Sequence, residues 1–157
     1  MVTHMNRDET KYFEDMEEGE TSVVEDARTI TEGDVTNWCS LAGDWGRIHV
    51  SKPFAEESEF GRRLVPGNLV HAIAEPLGLD WAGEGFSYGH DNIRFVKPVF
   101  IGDTITVRRE ITECSDYDDQ YGRVVYKYEV YNQDDELVLV DEHITMVTKR
   151  AAAEGGD

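Results

Sequence analysis

The chain has 157 residues and is strongly acidic, with 33 Asp and Glu against 15 Lys and Arg and a formal net charge of -18 at pH 7. This length suits a single domain with a substantial core. Such a charge disfavours binding to nucleic acid and to anionic membranes, and no apolar run approaches membrane-spanning length. We therefore expect a cytoplasmic protein of a salt-loving organism, in which high salt screens the repulsion between carboxylates.

The two cysteines, Cys39 and Cys114, have neither metal-ligand spacing nor the pattern of a disulfide framework. Cys39 falls on the apolar stripe of a predicted helix, where a free cysteine is usually a small buried hydrophobe. The sequence therefore predicts a reducing compartment and no metal site.

A first strand is predicted over residues 21–30, followed by a helix over residues 31–42. Thr31 is a good N-cap, and Asp34 occupies the position of a capping box. Gly43 is expected to end the helix. The helix has one apolar stripe, formed by Val35, Trp38, Cys39 and Ala42.

A second helix is predicted from Gly67 to about Leu79, with Pro76 shortening or kinking its last turn. Four alternating segments then indicate strands over residues 87–96, 104–114, 123–132 and 136–149, the last two joined by a turn at 133–135. This order indicates an α+β fold. We expect one domain over residues 9–150, with frayed termini at 1–8 and 151–157.

Asp44 and His49 stand five residues apart, directly after the expected end of the first helix. The turn takes both side chains out of helical register, so they can converge on one cavity. A carboxylate and an imidazole at one turn can share a water molecule and act on it as base and acid. The pair is the candidate catalytic centre, and the sequence does not divide the two roles between its members.

Further residues around this pair form a recognisable pattern: Gly43, Asp44, Ile48, His49, Ala55, Phe60 and Gly61, followed by the run from Asn92 to Thr104. The pattern resembles that of the MaoC-like (R)-specific enoyl-CoA hydratases, whose motif runs Gly-Asp-x-Asn-Pro-hydrophobic-His. Gly46 and Arg47 stand here in place of Asn-Pro, and Pro66 replaces the His that usually precedes the glycine of the next helix.

The resemblance implies a hot-dog fold, in which a five-stranded antiparallel sheet wraps around a central helix. It also implies a homodimer or larger homo-oligomer with active sites at the subunit interface. The implied reaction adds water to a trans-2-enoyl-CoA to give an (R)-3-hydroxyacyl-CoA, or reverses this step. Asp44 and His49 would hold the water, and the N–H of Gly67 would receive the thioester oxygen.

An acyl-CoA substrate brings its own coenzyme, so no separate cofactor is expected. Trp45 is a candidate wall of the acyl pocket. Basic side chains that are candidates for contact with the phosphates of coenzyme A are Arg62, Arg63, Arg94 and Lys97.

Two other functions fit the sequence. A non-catalytic hot-dog subunit that binds acyl-CoA or a partner enzyme would explain Gly46, Arg47 and Pro66. A hot-dog thioesterase also needs a carboxylate and a glycine amide, but it is not expected to have the Gly-Asp and hydrophobic-His pattern. His71, His90 and His143 have no assigned role; His71 is expected in the core or at an interface.

Overall fold

The computed structural model describes residues 10–78 and 85–155. Its elements are a 3-10 turn (Phe13–Asp15), strands β1 (Thr21–Thr29), β2 (Gly85–Phe95), β3 (Thr104–Asp116), β4 (Tyr121–Tyr131) and β5 (Leu137–Thr148), and helices α1 (Glu32–Ala42), α2 (Arg47–Val50), α3 (Lys52–Glu56), α4 (Gly67–Gly78) and α5 (Arg150–Glu154). No helix in the described ranges is long and apolar enough to cross a membrane.

The five strands form one antiparallel sheet in the order β1-β3-β4-β5-β2. This confirms the predicted α+β class, and each strand lies within two residues of its predicted bounds at either end. Strands β1 and β2 are the edges of the sheet. Along β2 most side chains are exposed, although the alternation of its sequence predicted a half-buried strand.

Helix α4 packs against the sheet and supplies the centre of the core. Its residues Leu69, Val70 and Ile73 are buried together with alternating residues of the strands. In β4 these are Val124, Tyr126, Tyr128 and Val130, which alternate along the strand. Full burial of each aliphatic side chain contributes about 1.5 to 3 kcal/mol, so this contact fixes the position of α4 on the sheet.

Helix α1 begins and ends as predicted. The Thr31 hydroxyl accepts a hydrogen bond from the N–H of Asp34 (3.2 Å), and the Asp34 carboxylate accepts one from the N–H of Thr31 (2.8 Å). Gly43 ends the helix with a φ of 70°, a left-handed conformation that favours glycine. Ala42 differs from the prediction, because it is exposed while Val35 and Cys39 are buried.

Short helices are the main difference from the prediction. No helix was predicted between Gly43 and Gly67, yet this segment contains α2 and α3. The C terminus was expected to fray from residue 151, yet α5 covers Arg150–Glu154. Both carboxylate oxygens of Asp15 accept hydrogen bonds from the Arg150 guanidinium at 2.7 Å, which anchors α5 to the start of the chain. Residues 1–8 and the end of the second predicted helix at Leu79 lie outside the described residues.

Candidate active site

The structure brings Asp44 and His49 together. Asp44 follows the glycine that ends α1, and His49 lies in α2. Nε2 of His49 is 3.9 Å from Oδ2 of Asp44, and the two side chains are 16% and 42% exposed. This separation is too long for a direct hydrogen bond, but a water molecule about 2.8 Å from each atom would bridge them.

A backbone carbonyl fixes the orientation of the His49 ring. Nδ1 of His49 lies 2.8 Å from the oxygen of Leu64. The N–H of Leu64 in turn donates to the oxygen of Ile48 at 3.2 Å, so the two segments hold each other in both directions. Because a carbonyl only accepts, Nδ1 carries the proton of this bond, and in the neutral ring Nε2 is left as an acceptor facing Asp44.

The two residues that replace Asn-Pro lie differently around the pair. A methyl group on Gly46 would stand 3.2 Å from Cδ2 of His49 and 3.5 Å from Oδ1 of Asp44, so Gly46 leaves this side of the pair without a side chain. The guanidinium of Arg47 lies over the ring of Phe54, 4.3 Å from its centre. Its charge is therefore held by an aromatic contact on α3.

An apolar cavity of about 400 Å³ opens beside His49. Gly67 lines the same cavity from the first turn of α4. The other lining residues are predominantly apolar: Phe60, Leu64, Val65, Val70, Phe95, Val96, Lys97, Pro98, Val99, Val138 and Leu139. A concave apolar site with a few convergent polar groups is the usual form of a small-molecule site.

Gly67 brings a helix N-terminus to this cavity. The first N–H groups of a helix have no partner within it, and the helix dipole favours negative charge there. The first helical hydrogen bonds, from Leu69 and Val70, end on the oxygen of Pro66. A methyl group on Gly67 would lie 2.9 Å from three ring atoms of Phe95, so the Phe95 ring covers the glycine closely.

Of the five predicted substrate-binding residues, Lys97 lines the cavity. Its ammonium group is 2.6 Å from the carboxylate of Glu136. Arg62 and Arg63 line a separate depression of about 270 Å³. There the Arg62 guanidinium stacks on the ring of Phe100 (3.7 Å), and Arg63 pairs with Glu32, whose pKa is lowered chiefly by that hydrogen bond.

Trp45 and Arg94 lie elsewhere on the surface. The Trp45 side chain is 56% exposed and is not among the described residues that line the cavity. Arg94 is exposed on β2, and its guanidinium donates to the backbone oxygen of Ile93 at 2.7 Å. The roles of these two residues in substrate binding stay predictions.

A second group of titratable side chains, which sequence reasoning left without a role, lies between α4, β2 and β5. Asp141 accepts hydrogen bonds from His71 (3.0 Å) and His90 (2.8 Å), and the Asp141 bond raises the pKa of His71. Burial opposes ionisation of Asp141, but the two histidines lower its pKa overall. Burial, aided by the charge of His90, lowers the pKa of His143 to about 4. One sequence signal for this group was available: Glu75 follows His71 by four residues, which places the two side chains on the same side of the predicted helix.

Comparison with known proteins agrees with this architecture. Residues 15–133 match the MaoC like domain family. The chain is 32% identical over 147 residues to a 3-hydroxybutyryl-CoA dehydratase of Methylorubrum extorquens, covering 91% of this chain and 88% of that protein. It is 34% identical to an (R)-specific enoyl-CoA hydratase of Rhodospirillum rubrum, covering 64% of this chain and 69% of the relative. Protein MaoC of Klebsiella aerogenes is 41% identical over 100 residues, which are 62% of this chain but only 30% of that protein.

Solved structures show the same fold. An Archaeoglobus protein described as a monoamine oxidase regulatory protein superposes with a TM-score of 0.81 at 33% identity, covering 89% of this chain and 95% of that one. A Mycobacterium tuberculosis protein described as a double hot-dog fold superposes with a TM-score of 0.74 at 19% identity, covering 89% of this chain and 44% of that one. The chain therefore belongs to the MaoC-like domain family and has a hot-dog fold, with α4 as its central helix.

Proposed function

We propose that this protein adds water across the C2=C3 bond of a trans-2-enoyl-CoA to give an (R)-3-hydroxyacyl-CoA, and catalyses the reverse dehydration. The observation that carries the proposal is that His49 and the amide end of α4 at Gly67 line one apolar cavity, while the Asp44 carboxylate lies 3.9 Å from the His49 ring. The Methylorubrum and Rhodospirillum relatives, which are named as acting on acyl-CoA, support the same substrate class.

The pair supplies the water. An ionised Asp44 and a neutral His49 both present acceptor atoms, and a water molecule between them donates one O–H to each. Its oxygen bonds to C3 of the enoyl thioester while one proton passes to the pair. The pair then returns a proton to C2, so the net change is the addition of one water, and the two residues act as one acid-base unit.

The end of α4 stabilises the intermediate. Attack at C3 places negative charge on the thioester oxygen, and the N–H of Gly67 is the proposed hydrogen-bond donor to that enolate. The Phe95 ring lies against Gly67 on the side where a methyl group would stand, and we propose that the ring turns aside as the thioester reaches the amide. Phe95 is 53% exposed, so solvent lies next to it and leaves room for that rotation.

The apolar lining is suited to an acyl chain, and the phosphates of coenzyme A need cations on a chain of charge -18. Lys97 lines the cavity itself, and Arg62 and Arg63 line the separate depression. Lys97, Arg62 and Arg63 are the preferred candidates for binding the phosphates, and Arg94 is the next candidate. The coenzyme arrives with the substrate, so the reaction needs no other cofactor, and a cytoplasmic location would supply the acyl-CoA.

We further propose that the working form is a homodimer joined along β2. This strand is an edge of the sheet, where one side of the backbone has no neighbouring strand in the described part of the chain, and its Phe86 and Tyr88 are exposed. Light scattering behind size-exclusion chromatography should give the mass of two chains. Tyr88→Asp should shift that mass toward one chain, whereas a monomeric wild type would contradict the dimer.

The decisive experiment is mass spectrometry of the purified protein with crotonyl-CoA. Hydration adds one water to the substrate, whereas thioester hydrolysis releases free coenzyme A. Chiral analysis of the hydrated product should give the (R) form, and His49→Ala provides the inactive control. A predominantly (S) product would contradict the assignment of this active site.

A non-catalytic acyl-CoA-binding subunit is the second candidate. It is favoured by Gly46, which leaves one side of the Asp44 and His49 pair without a side chain. The same experiment separates the two functions, because a binder retains crotonyl-CoA unchanged.

A further inference from the structure

The side chains of His71, His90 and Asp141 form a compact cluster that includes neither member of the proposed catalytic pair; we call it the histidine cluster. His71 comes from α4, His90 from β2 and Asp141 from β5. Nε2 of His71 and Nδ1 of His90 lie 3.0 and 2.8 Å from the same carboxylate oxygen, Oδ2 of Asp141. Three separate elements thus aim nitrogen and oxygen donors at one point.

The carboxylate at the centre is shielded from water. The side chain of Asp141 is 1% exposed, and those of His71 and His90 are 16% and 20% exposed. Its second oxygen, Oδ1, is buried and has no hydrogen-bond partner among the described residues. Burying such an oxygen without a partner is costly, and a bound cation next to the carboxylate would offset that cost.

The distances suit a small divalent ion. The donor atoms of all three side chains lie within 4.8 Å of one another. A tetrahedral zinc ion with bonds of about 2.0 to 2.1 Å holds its ligand atoms about 3.3 Å apart, slightly more than the two measured separations. A small outward movement of the His71 and His90 rings would therefore let one zinc ion replace the two protons that these rings share with Asp141. Two imidazoles and a carboxylate select zinc or a similar transition metal over magnesium or calcium.

We propose that His71, His90 and Asp141 bind one zinc ion, which ties the central helix to β2 and β5. Glu75 and His143 complete the surroundings, because Glu75, His90 and His143 also place ligand atoms within 4.8 Å of one another. Glu75 follows His71 by one helical turn and projects on the same side of α4. No metal site was predicted from the sequence. Asp141 is 70 residues from His71 and 51 from His90, so no short spacing motif marks the cluster.

The test is calorimetric titration of zinc into chelator-treated protein in molar potassium chloride, which screens the many surface carboxylates. One zinc per chain should bind, and magnesium should not compete. His71→Ala and His90→Ala should each weaken binding more than about 100-fold, since loss of even a residue behind a metal ligand typically costs about 10- to 100-fold. His49→Ala removes a histidine outside the cluster and should bind zinc as the wild type does.

Circular dichroism and thermal melting check that the variants are folded. If an alanine variant does not fold, zinc binding is measured on His90→Gln instead. Cobalt provides a second readout, because a cobalt spectrum altered by the wild type and unaltered by His90→Gln locates the ion at this cluster. Unsaturable binding, or equal zinc affinity in wild type, His71→Ala and His90→Ala, would overturn the proposal and leave the cluster as a hydrogen-bonded network only.

Discussion

Nδ1 of His49 is 2.8 Å from the backbone oxygen of Leu64, a residue 15 positions further along the chain. Leu64 itself is placed by a bridge to Phe100, and the N–H of Val65 donates to the oxygen of Val99 at 2.8 Å. The catalytic imidazole of the proposed reaction is therefore oriented by the backbone rather than by Asp44. Removing the Asp44 carboxylate should leave His49 in place, which makes single substitutions of the pair interpretable.

We expect Asp44→Ala and His49→Ala each to lower the hydration rate of crotonyl-CoA by about 100- to 10,000-fold, the usual contribution of a positioned acid or base. The double variant should be little slower than the slower single variant, because the two residues act on one water. The rates are measured from the loss of the enoyl thioester, with circular dichroism to verify folding.

Arg47→Ala is the matched control for the pair. It removes a side chain from the same short helix, but that side chain contacts the Phe54 ring. Its rate should stay within a few-fold of the wild type. Near-normal turnover by Asp44→Ala, or a loss in Arg47→Ala as large as that in His49→Ala, would contradict the role of the pair.

The features predicted correctly from the sequence are those that depend on neighbours along the chain. Thr31 and Asp34 form their capping box within three residues, and the alternation of β4 appears directly in the burial of Val124 and Tyr126. The positions of Asp44 and His49 just after a helix end also predicted correctly that the two side chains lie near each other.

The features that were not predicted depend on distant partners. Helices α2 and α3 have four and five residues, too few to establish a helical period. Whether a surface arginine faces a ligand or a carboxylate depends on its surroundings, as for Arg63 and Glu32, 31 residues apart. The histidine cluster likewise forms only when β2 and β5 pair across the sheet.

Loss of the α1 cap should lower stability. Thr31→Ala removes the hydroxyl that accepts from the N–H of Asp34, and we expect it to reduce the free energy of unfolding by about 1 kcal/mol. Thr36→Ala is the control within the same helix. The Thr36 hydroxyl donates to the backbone oxygen of Glu32 rather than capping the helix, so its loss should change stability by less than about 0.5 kcal/mol. Urea unfolding at neutral pH measures both, and equal losses would argue against the cap.

The other half of the cap should depend on pH. The hydrogen bond from the Thr31 N–H, followed by those from the Thr31 hydroxyl and Arg28, lowers the pKa of Asp34. A carboxyl with a lowered folded-state pKa stabilises the fold above about pH 4 and loses that contribution as the pH falls through its folded value. The stability difference between wild type and Asp34→Asn should therefore shrink from pH 7 to pH 3. A constant difference across this range would contradict the assignment.

The excess of carboxylates predicts dependence on salt. Repulsion among the unscreened charges should destabilise the compact state at low ionic strength, so the melting temperature should climb as potassium chloride is raised to molar levels. The double variant Glu57→Gln/Glu59→Gln neutralises two exposed carboxylates on one segment. It should melt higher than the wild type at low salt and gain less from added salt. A wild-type melting temperature that does not change with potassium chloride concentration would show that the excess of carboxylates is not an adaptation to high salt.

The role of Gly67 requires two variants to test, because of its contact with Phe95. Alanine is ordinarily acceptable at a helix start, but a methyl group on Gly67 would lie 2.9 Å from the Phe95 ring. A slow Gly67→Ala enzyme would therefore reflect either a crowded thioester or a displaced ring. The double variant Gly67→Ala/Phe95→Ala separates the two explanations, because it keeps the methyl group but removes the ring that the methyl group would contact.

If the N–H of Gly67 stabilises the enolate, Gly67→Ala should lower the hydration rate by about 100- to 1000-fold, as loss of one such donor does elsewhere. The double variant should stay slow, because the methyl group still keeps the thioester away from the amide. Phe95→Ala alone should retain most of the activity, since its ring must move aside during each turnover in the proposed reaction. Recovery of the rate in the double variant would assign the loss to Phe95 instead, and an unaffected Gly67→Ala enzyme would place the oxyanion donor elsewhere.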